Sequence, residues 1–321
     1  MIAHYHLPGL FESFEFYKVF LPLWREHRDW FYDWCDIASI YGSPGDCLWG
    51  GGRAVYSDAS SEPSAGDVLA LMREYGISAR LTFSNSLLGG KHLADKKCNV
   101  ICEEFCGGSA GGACAGGPDG LGVVCAGGGL PQNGVIVHSD LLAEYLRENF
   151  PSLYLVSSTT KVLTDFSAFE AELQRPDFKY VVPDFRLNKA FDRLAALSQE
   201  AKDKVEFLCN ECCNINCPDR KACYENVSRK NLGENVADHK CRQPGSERGY
   251  RFSLAMKNPA FIGLQDILQN YLPLGFSNFK IEGRGLGSAL LLEFLLYYMT
   301  KPQHQLEVRE SIYLDSMLDL F

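Results

Sequence analysis

The stretch that decides the fold begins Gly134-Val135-Ile136-Val137-His138-Ser139-Asp140 and resumes, after a helical run, at Leu153-Tyr154-Leu155-Val156-Ser157. Val135–Val137 and Leu153–Val156 are unbroken apolar runs, the pattern of strands covered on both faces. Between them, Ser139 and Asp140 supply an N-terminal cap. Leu141, Leu142, Tyr145 and Leu146 then share one side of a helix predicted over residues 141–149. Strand, helix, strand in this order is a βαβ unit, and its strands are parallel.

The same alternation continues outward in both directions. Predicted strands are Ala3–Leu7, Asp36–Tyr41, Ala79–Ser84, Gly134–His138, Leu153–Ser157, Tyr180–Pro183, Val205–Leu208 and Asn278–Ile281. Thr164-Asp165 opens a helix over 166–174, and another is predicted over 288–299. Eight strands with intervening helices predict an α/β chain folded as one (β/α)8 barrel over residues 1–321, in preference to an open doubly wound sheet. Two stretches interrupt the repeat. Residues 102–129, with Cys102, Cys106, Cys114 and Cys125 among Gly and Ala, read as a flexible insertion. Residues 209–253 read as a cysteine-rich loop over the barrel mouth, extended and polar from Arg229 to Ser253. The aromatic run from Phe11 to Trp34 has Phe16, Phe20 and Trp24 at helical spacing, which suits burial against the barrel more than a partner surface.

Bulk composition narrows the class. The 321 residues are 46% hydrophobic, enough for a sizeable core, and carry a net charge of −9. That sign gives no strong nucleic-acid signal. The N-terminal residues lack the basic and apolar regions of a secretory signal. The longest apolar run, 289–299, contains Glu293 and is too short to span a bilayer. A cytoplasmic protein without a membrane anchor is expected. The 13 cysteines are then expected to be thiols or metal ligands rather than disulfides, and an odd count agrees.

In a barrel, reacting groups sit where strands run into the following loops. Those positions, together with the polar residues of the first strand, offer Glu282, Arg284, His138 and Asp184 as candidate catalytic groups. His4, His6, Asn85, Lys161, Arg186 and Glu211 are candidate substrate contacts. A small-molecule substrate is the expected partner, with Glu282 or His138 moving protons and Arg284 holding an anionic group. Each residue has a plainer reading. A strand-end histidine is more often a satisfied hydrogen-bonding group, Lys161 suits a solvated helix start, and Glu282, Arg284, Asp184 and Arg186 can pair among themselves. Gly283-Arg284-Gly285-Leu286-Gly287-Ser288 can cradle an anion at a helix start or simply pack a tight strand-to-helix turn.

Cys209-Asn210-Glu211-Cys212-Cys213-Asn214-Ile215-Asn216-Cys217-Pro218 carries the densest chemistry. Three residues separate Cys213 from Cys217, a spacing that lets one turn aim both sulfurs at one point. Cys223 and Cys241 can complete a set of four, with Cys98 as a rival fourth ligand. Thiolates without an accompanying histidine motif suit a 4Fe–4S cluster or, second, a structural zinc. Thiols that bind no metal are the alternative.

Phe279-Lys280-Ile281-Glu282-Gly283-Arg284 is similar to the Lys-Ile-Glu-Gly-Arg signature of the collagenase-like peptidase family. Asn210-Glu211, Cys213, Cys217 and Pro218 resemble its cysteine-rich loop after strand seven. The resemblance covers mainly residues 154–299. It implies a barrel, Glu282 and Arg284 at the mouth, and cluster ligands at Cys213 and Cys217. It also implies iron–sulfur chemistry of the kind that supports oxygen-independent hydroxylation of ubiquinone precursors or RNA bases. The spacing of the remaining cysteines and the Gly/Cys-rich insertion depart from the family pattern.

Three functions compete. The first expectation is an iron–sulfur redox or hydroxylase-type protein acting on a small anionic or aromatic substrate, with an electron donor or a second copy as partner. The second is a metal-dependent hydrolase of the collagenase-like type. Neither HExxH nor a nucleophile elbow is present to strengthen it. The third is a binding or assembly subunit.

Overall fold

The computed structural model describes residues 1–52, 62–107, 131–242, 246 and 249–317. Eight parallel strands run in the order β6-β5-β4-β3-β2-β1-β8-β7. They are β1 (Ala3–Pro8), β2 (Cys35–Gly42), β3 (Ser78–Phe83), β4 (Gly134–Val137), β5 (Tyr154–Ser157), β6 (Phe178–Val181), β7 (Glu206–Leu208) and β8 (Asn278–Lys280). A parallel bridge from Val181 to Val205 joins the two ends and closes the sheet. The chain is a (β/α)8 barrel, and all eight predicted strands are present with ends moved by a residue or two.

Helices fill the connections: α1 (Phe14–Glu26), α2 (Ala65–Tyr75), α3 (Lys96–Gly107), α4 (Asp140–Asn149), α5 (Phe166–Leu173), α6 (Phe191–Ala195) and α7 (Gln199–Lys204). They continue with α8 (Arg220–Asn231), α9 (Phe252–Ala255), α10 (Leu264–Asp266), α11 (Ser288–Tyr298) and α12 (Gln305–Met317). The caps read from sequence form: Ser139 accepts from the Leu142 amide and Asp165 from the Ala168 amide. Among the described residues no helix is long and apolar enough to cross a membrane.

Strand alternation divides the apolar side chains into two clusters. Tyr5, Leu7, Ile40, Leu81, Phe83, Val135 and Phe279 face outward and join the helices in the main core. Phe16, Phe20 and Trp24 of α1 belong to it, so much of the aromatic run is core. A smaller cluster, with Tyr41, Ile136, Tyr154, Val156, Val182 and Leu208, fills the barrel itself. Gly134 is required there, because a Cβ would lie 2.4 Å from the Tyr154 ring.

Charges form the barrel floor. Glu206 is fully buried, accepts from Arg80 at 2.5 Å and from Lys280 at 3.0 Å, and lies 3.6 Å from His6. Arg80 also donates to the Tyr154 hydroxyl at 2.7 Å and lies over the Tyr180 ring. Burial alone would raise the Glu206 pKa. Arg80, with His6 and Lys280, outweighs it and holds the carboxyl well below its usual range.

Two boundaries differ from expectation. Cys102 and Cys106 lie in α3, where Cys98, Ile101, Cys102 and Phe105 recur at helical spacing and are buried. Residues 108–129 of the expected insertion lie outside the described residues. Arg229–Asn231 is the end of α8, so the cysteine-rich segment carries a helix before its extended part.

Candidate active site

A cavity of about 180 Å³ opens at the C-terminal ends of the strands. Its walls inside the barrel are Tyr41, Thr82, Ile136, Val182, Leu208 and Lys280. Its rim is formed by Ser84, Ser158 to Thr160, Cys212, Tyr224, Tyr250 and residues 282–286.

Glu282 and Arg284, both expected from sequence, line this cavity. Asn210 fixes Glu282 through its main chain, accepting from the Glu282 amide at 2.7 Å and donating to its carbonyl at 3.0 Å. Arg284 donates to Ser43 Oγ at 2.7 Å and to the Gly51 carbonyl, and lies 3.5 Å from Glu12. Burial pushes the Glu12 carboxyl up to about 7 despite Arg284. Gly283, at φ 148°, turns the chain between these two side chains, and a Cβ would meet Phe294 at 2.8 Å. Tight packing therefore accounts for this glycine.

The other expected contacts lie elsewhere. His6 belongs to the floor, with Nδ1 2.8 Å from Ser39 Oγ. Burial and Arg80 push its pKa well down. His4 is half-buried nearer the start of the same strand and does not line the cavity. His138 backs the rim through a 2.9 Å contact with Thr160 Oγ1. Burial, then Lys161 and Lys221, push it down to about 4. Lys161 pairs with Glu172 at 2.7 Å and with Asp140. Asn85 donates to the Leu48 and Ser228 carbonyls, tying the mouth to α8.

Asp184, Arg186 and Glu211 fasten the cysteine-rich segment. Arg220, fully buried at the start of α8, reaches Glu211 at 2.5 Å and Asp184 at 3.3 Å, and lies over the Phe185 ring. Arg186 donates to Asp184 and to the carbonyls of Ile215 at 2.7 Å and Cys217 at 2.6 Å. Glu211 accepts from the Cys213 amide at 2.8 Å. These strand-end charges orient the loop over the mouth.

Among the described residues, one group of three or more His, Cys, Asp or Glu has its ligand atoms within 4.8 Å of one another: Glu211, Cys212 and Glu282. Cys212 Sγ lies 3.8 Å from Glu282 Oε1 at the cavity rim. Two carboxylates and a thiol suit a divalent metal of intermediate softness. Cys213, Cys217 and Cys241 lie on the loop and Cys223 in α8; all four are half-buried or exposed, but they do not form such a group. Cys98 is placed apart from them: it is buried in α3, 3.0 Å from Cys47 Sγ.

Sequence reasoning passed over Lys280, Cys212, Glu12, Thr82 and Tyr250. Lys280 was legible, since strand alternation puts it on the same face as Glu282. Cys212 was hidden beside Cys213, whose spacing to Cys217 drew the attention.

No protein-family model matches the chain, and no curated protein matches it. The chain is similar to a solved structure, that of the U32 peptidase Mk0906, at a TM-score of 0.45 and 13% identity. The match covers 88% of this chain and 92% of that one.

Proposed function

We propose that the chain is a metal-dependent hydrolase of small, anionic acyl or peptide-like substrates. The observation that carries this reading is the Glu211, Cys212 and Glu282 group, of which Cys212 and Glu282 line the barrel cavity and Glu211 is buried behind them. Three protein ligands beside an open cavity are the donor set of a catalytic rather than a structural site. Zinc is the metal this mixed set fits best. When bound, such a cation supplies Lewis acidity toward a carbonyl oxygen.

The chain's own residues do the rest. Arg220 and the Cys213 amide hold the Glu211 carboxylate in place. Asn210 sets the main chain of Glu282. Arg284, pinned by Ser43, Gly51 and Glu12, presents a fixed positive charge to an anionic end of the substrate. The cysteine-rich segment limits water at the mouth. His138, pushed down to about 4, is neutral at pH 7 and positions Thr160.

A second reading rests on a separate observation. Cys212, Cys213, Cys217, Cys223 and Cys241 are all at least partly exposed on the mouth segment, whereas Cys35, Cys47, Cys98, Cys102 and Cys209 are buried. Accessible cysteines concentrated on one segment of the chain support the 4Fe–4S alternative.

Anaerobic purification followed by zinc, iron and acid-labile sulfide analysis separates the two. The hydrolase reading predicts stoichiometric zinc, amidase activity lost on chelation, and loss of metal in both Glu282→Gln and Cys212→Ser. Iron with matching sulfide establishes the second reading instead. A chain without metal in either preparation overturns both.

A further inference from the structure

Two glycines bring the Arg284 guanidinium and the Ser84 hydroxyl to one corner of the mouth cavity. The Gly51 carbonyl accepts from Arg284 Nη2, and its Cα packs so closely on the next strand end that a Cβ would strike the Ser84 carbonyl. Gly52 lines the cavity together with Arg284 and Ser84. It has φ +89°, and a Cβ there would lie 2.9 Å from Arg284 Nη2 and 3.9 Å from Ser84 Oγ. A side chain at this position would enter the space between the guanidinium and the hydroxyl. Glycine leaves that space to the cavity.

Both groups have hydrogen-bonding capacity to spare. Of the five N–H donors of Arg284, one each is directed at Ser43, Gly51 and Glu12 among the described residues. Ser84 is 1% exposed, and its Oγ has no hydrogen-bond partner among the described residues. Thr82 Oγ1 is likewise buried and unpartnered, and Thr82 also lines the cavity. Two residues earlier on the same strand face, it sits about 6.6 Å deeper in the barrel. Buried hydroxyls without partners are uncommon in folded proteins, and two in one cavity call for an occupant with oxygen acceptors.

Charge narrows the occupant. Lys280, Glu282 and Arg284 are the charged residues of the lining. Lys280 gives its amine to Glu206 at 3.0 Å, and Glu282 lies 3.8 Å from Cys212 Sγ. Glu12 does not line the cavity and accepts from the Phe11 and Ser43 amides. The cation that meets a ligand beside Ser84 is therefore Arg284. Below it, Tyr41, Ile136, Val182 and Leu208 offer apolar walls.

We propose that Arg284, Ser84 and Gly52 form a carboxylate subsite, and that the substrate is a small monocarboxylic acid whose apolar body enters the barrel. Its carboxylate accepts from Arg284 and from the Ser84 hydroxyl, both of them charge-assisted contacts. An oxygen acceptor further along the body meets Thr82. Gly52 determines specificity by leaving room for the carboxylate. As the identity of what is cleaved, this rests on the hydrolase reading, whereas the binding itself needs no metal.

Isothermal titration calorimetry on the full chain tests it, with hexanoate, hexanamide and 5-oxohexanoate as probes, before and after EDTA treatment. Hexanoate is expected to bind about tenfold more tightly than hexanamide, because hydrogen bonds to an ion are roughly twice as strong as neutral ones, and to do so equally after chelation. Ser84→Ala and Gly52→Ala are each expected to weaken hexanoate several-fold. 5-Oxohexanoate is expected to bind several-fold more tightly than hexanoate, a gain lost in Thr82→Val. Equal binding of hexanoate and hexanamide overturns the proposal, as does a Ser84→Ala chain with unchanged hexanoate affinity. The Ser84 variant decides the matter if Gly52→Ala does not fold. Hexanoate binding that vanishes with EDTA puts the carboxylate on the metal, which overturns the subsite and leaves the hydrolase reading standing. Selective hexanoate binding by a chain that holds no metal does the reverse.

Discussion

Two buried ionic clusters of the same chemistry do different work. The floor cluster of Arg80, Glu206, Lys280 and His6 is contributed wholly by strands β1, β3, β7 and β8, and it ties the barrel across its own interior. The mouth cluster of Arg220, Asp184, Glu211 and Arg186 joins strand ends to a helix that belongs to the covering segment. The first holds the fold together, while the second holds a lid in register. Position relative to the strand ends therefore does not tell a catalytic charge from a structural one. What the charge grips does.

The largest expected effect breaks the floor. Glu206→Gln leaves Arg80 buried against an amide, and loss of one partner of a buried pair costs roughly 3–5 kcal/mol. Chemical denaturation is expected to show this as a loss of global stability. A change under 1 kcal/mol would remove the distinction between the clusters.

A pH titration of stability sharpens the comparison further, because two carboxylates act with opposite sign. Glu206 is depressed in the fold, so its contribution is complete above the unfolded value of 4.5 and is lost as pH falls below it. Glu12 at the mouth is raised to about 7, so the native state holds its proton where the unfolded chain has released it. Stability is therefore expected to decline from pH 4.5 to about 7 by up to roughly 3 kcal/mol from this group. Calorimetry on Glu12→Gln should lack that decline.

Arg220→Met is expected to cost less globally, about 1–3 kcal/mol. Its signature is local: faster hydrogen exchange across residues 209–231 with the strands still protected. Exchange that quickens equally in β1 and β8 would show that the mouth cluster also carries the barrel. The smallest effect is at His138. Since its pKa lies near 4, His138→Gln is expected to leave the activity profile between pH 6 and 8 unmoved. A lost limb in that range would make His138 a proton carrier.

The barrel was legible because parallel strands covered on both faces read as apolar runs, as in Val135–Val137 and Leu153–Val156. The cap residues Ser139 and Asp165 read just as directly. The start of the expected insertion was not legible, since its Gly and Ala content masked the helical repeat of Cys98, Ile101, Cys102 and Phe105. At the mouth, Glu282 and Arg284 were legible twice, from their place at the end of strand eight and from the Lys-Ile-Glu-Gly-Arg motif. Asp184, Arg186 and Glu211 occupy equivalent positions, yet they turn toward Arg220 and a loop backbone, a choice made by tertiary contacts far along the chain. Thr82 and Ser84 carried no sequence signal because hydroxyls at strand ends are common and only burial without a partner sets them apart.

The Arg186 grip has a consequence for engineering. Its guanidinium takes hold of the segment through the carbonyl oxygens of Ile215 and Cys217, atoms that every residue type possesses. The grip itself therefore does not depend on the Ile215 and Asn216 side chains. With Asn214 kept, whose side chain accepts from the Asn216 amide at 2.8 Å, positions 215 and 216 can be randomised as a library while the docking point stays where it is.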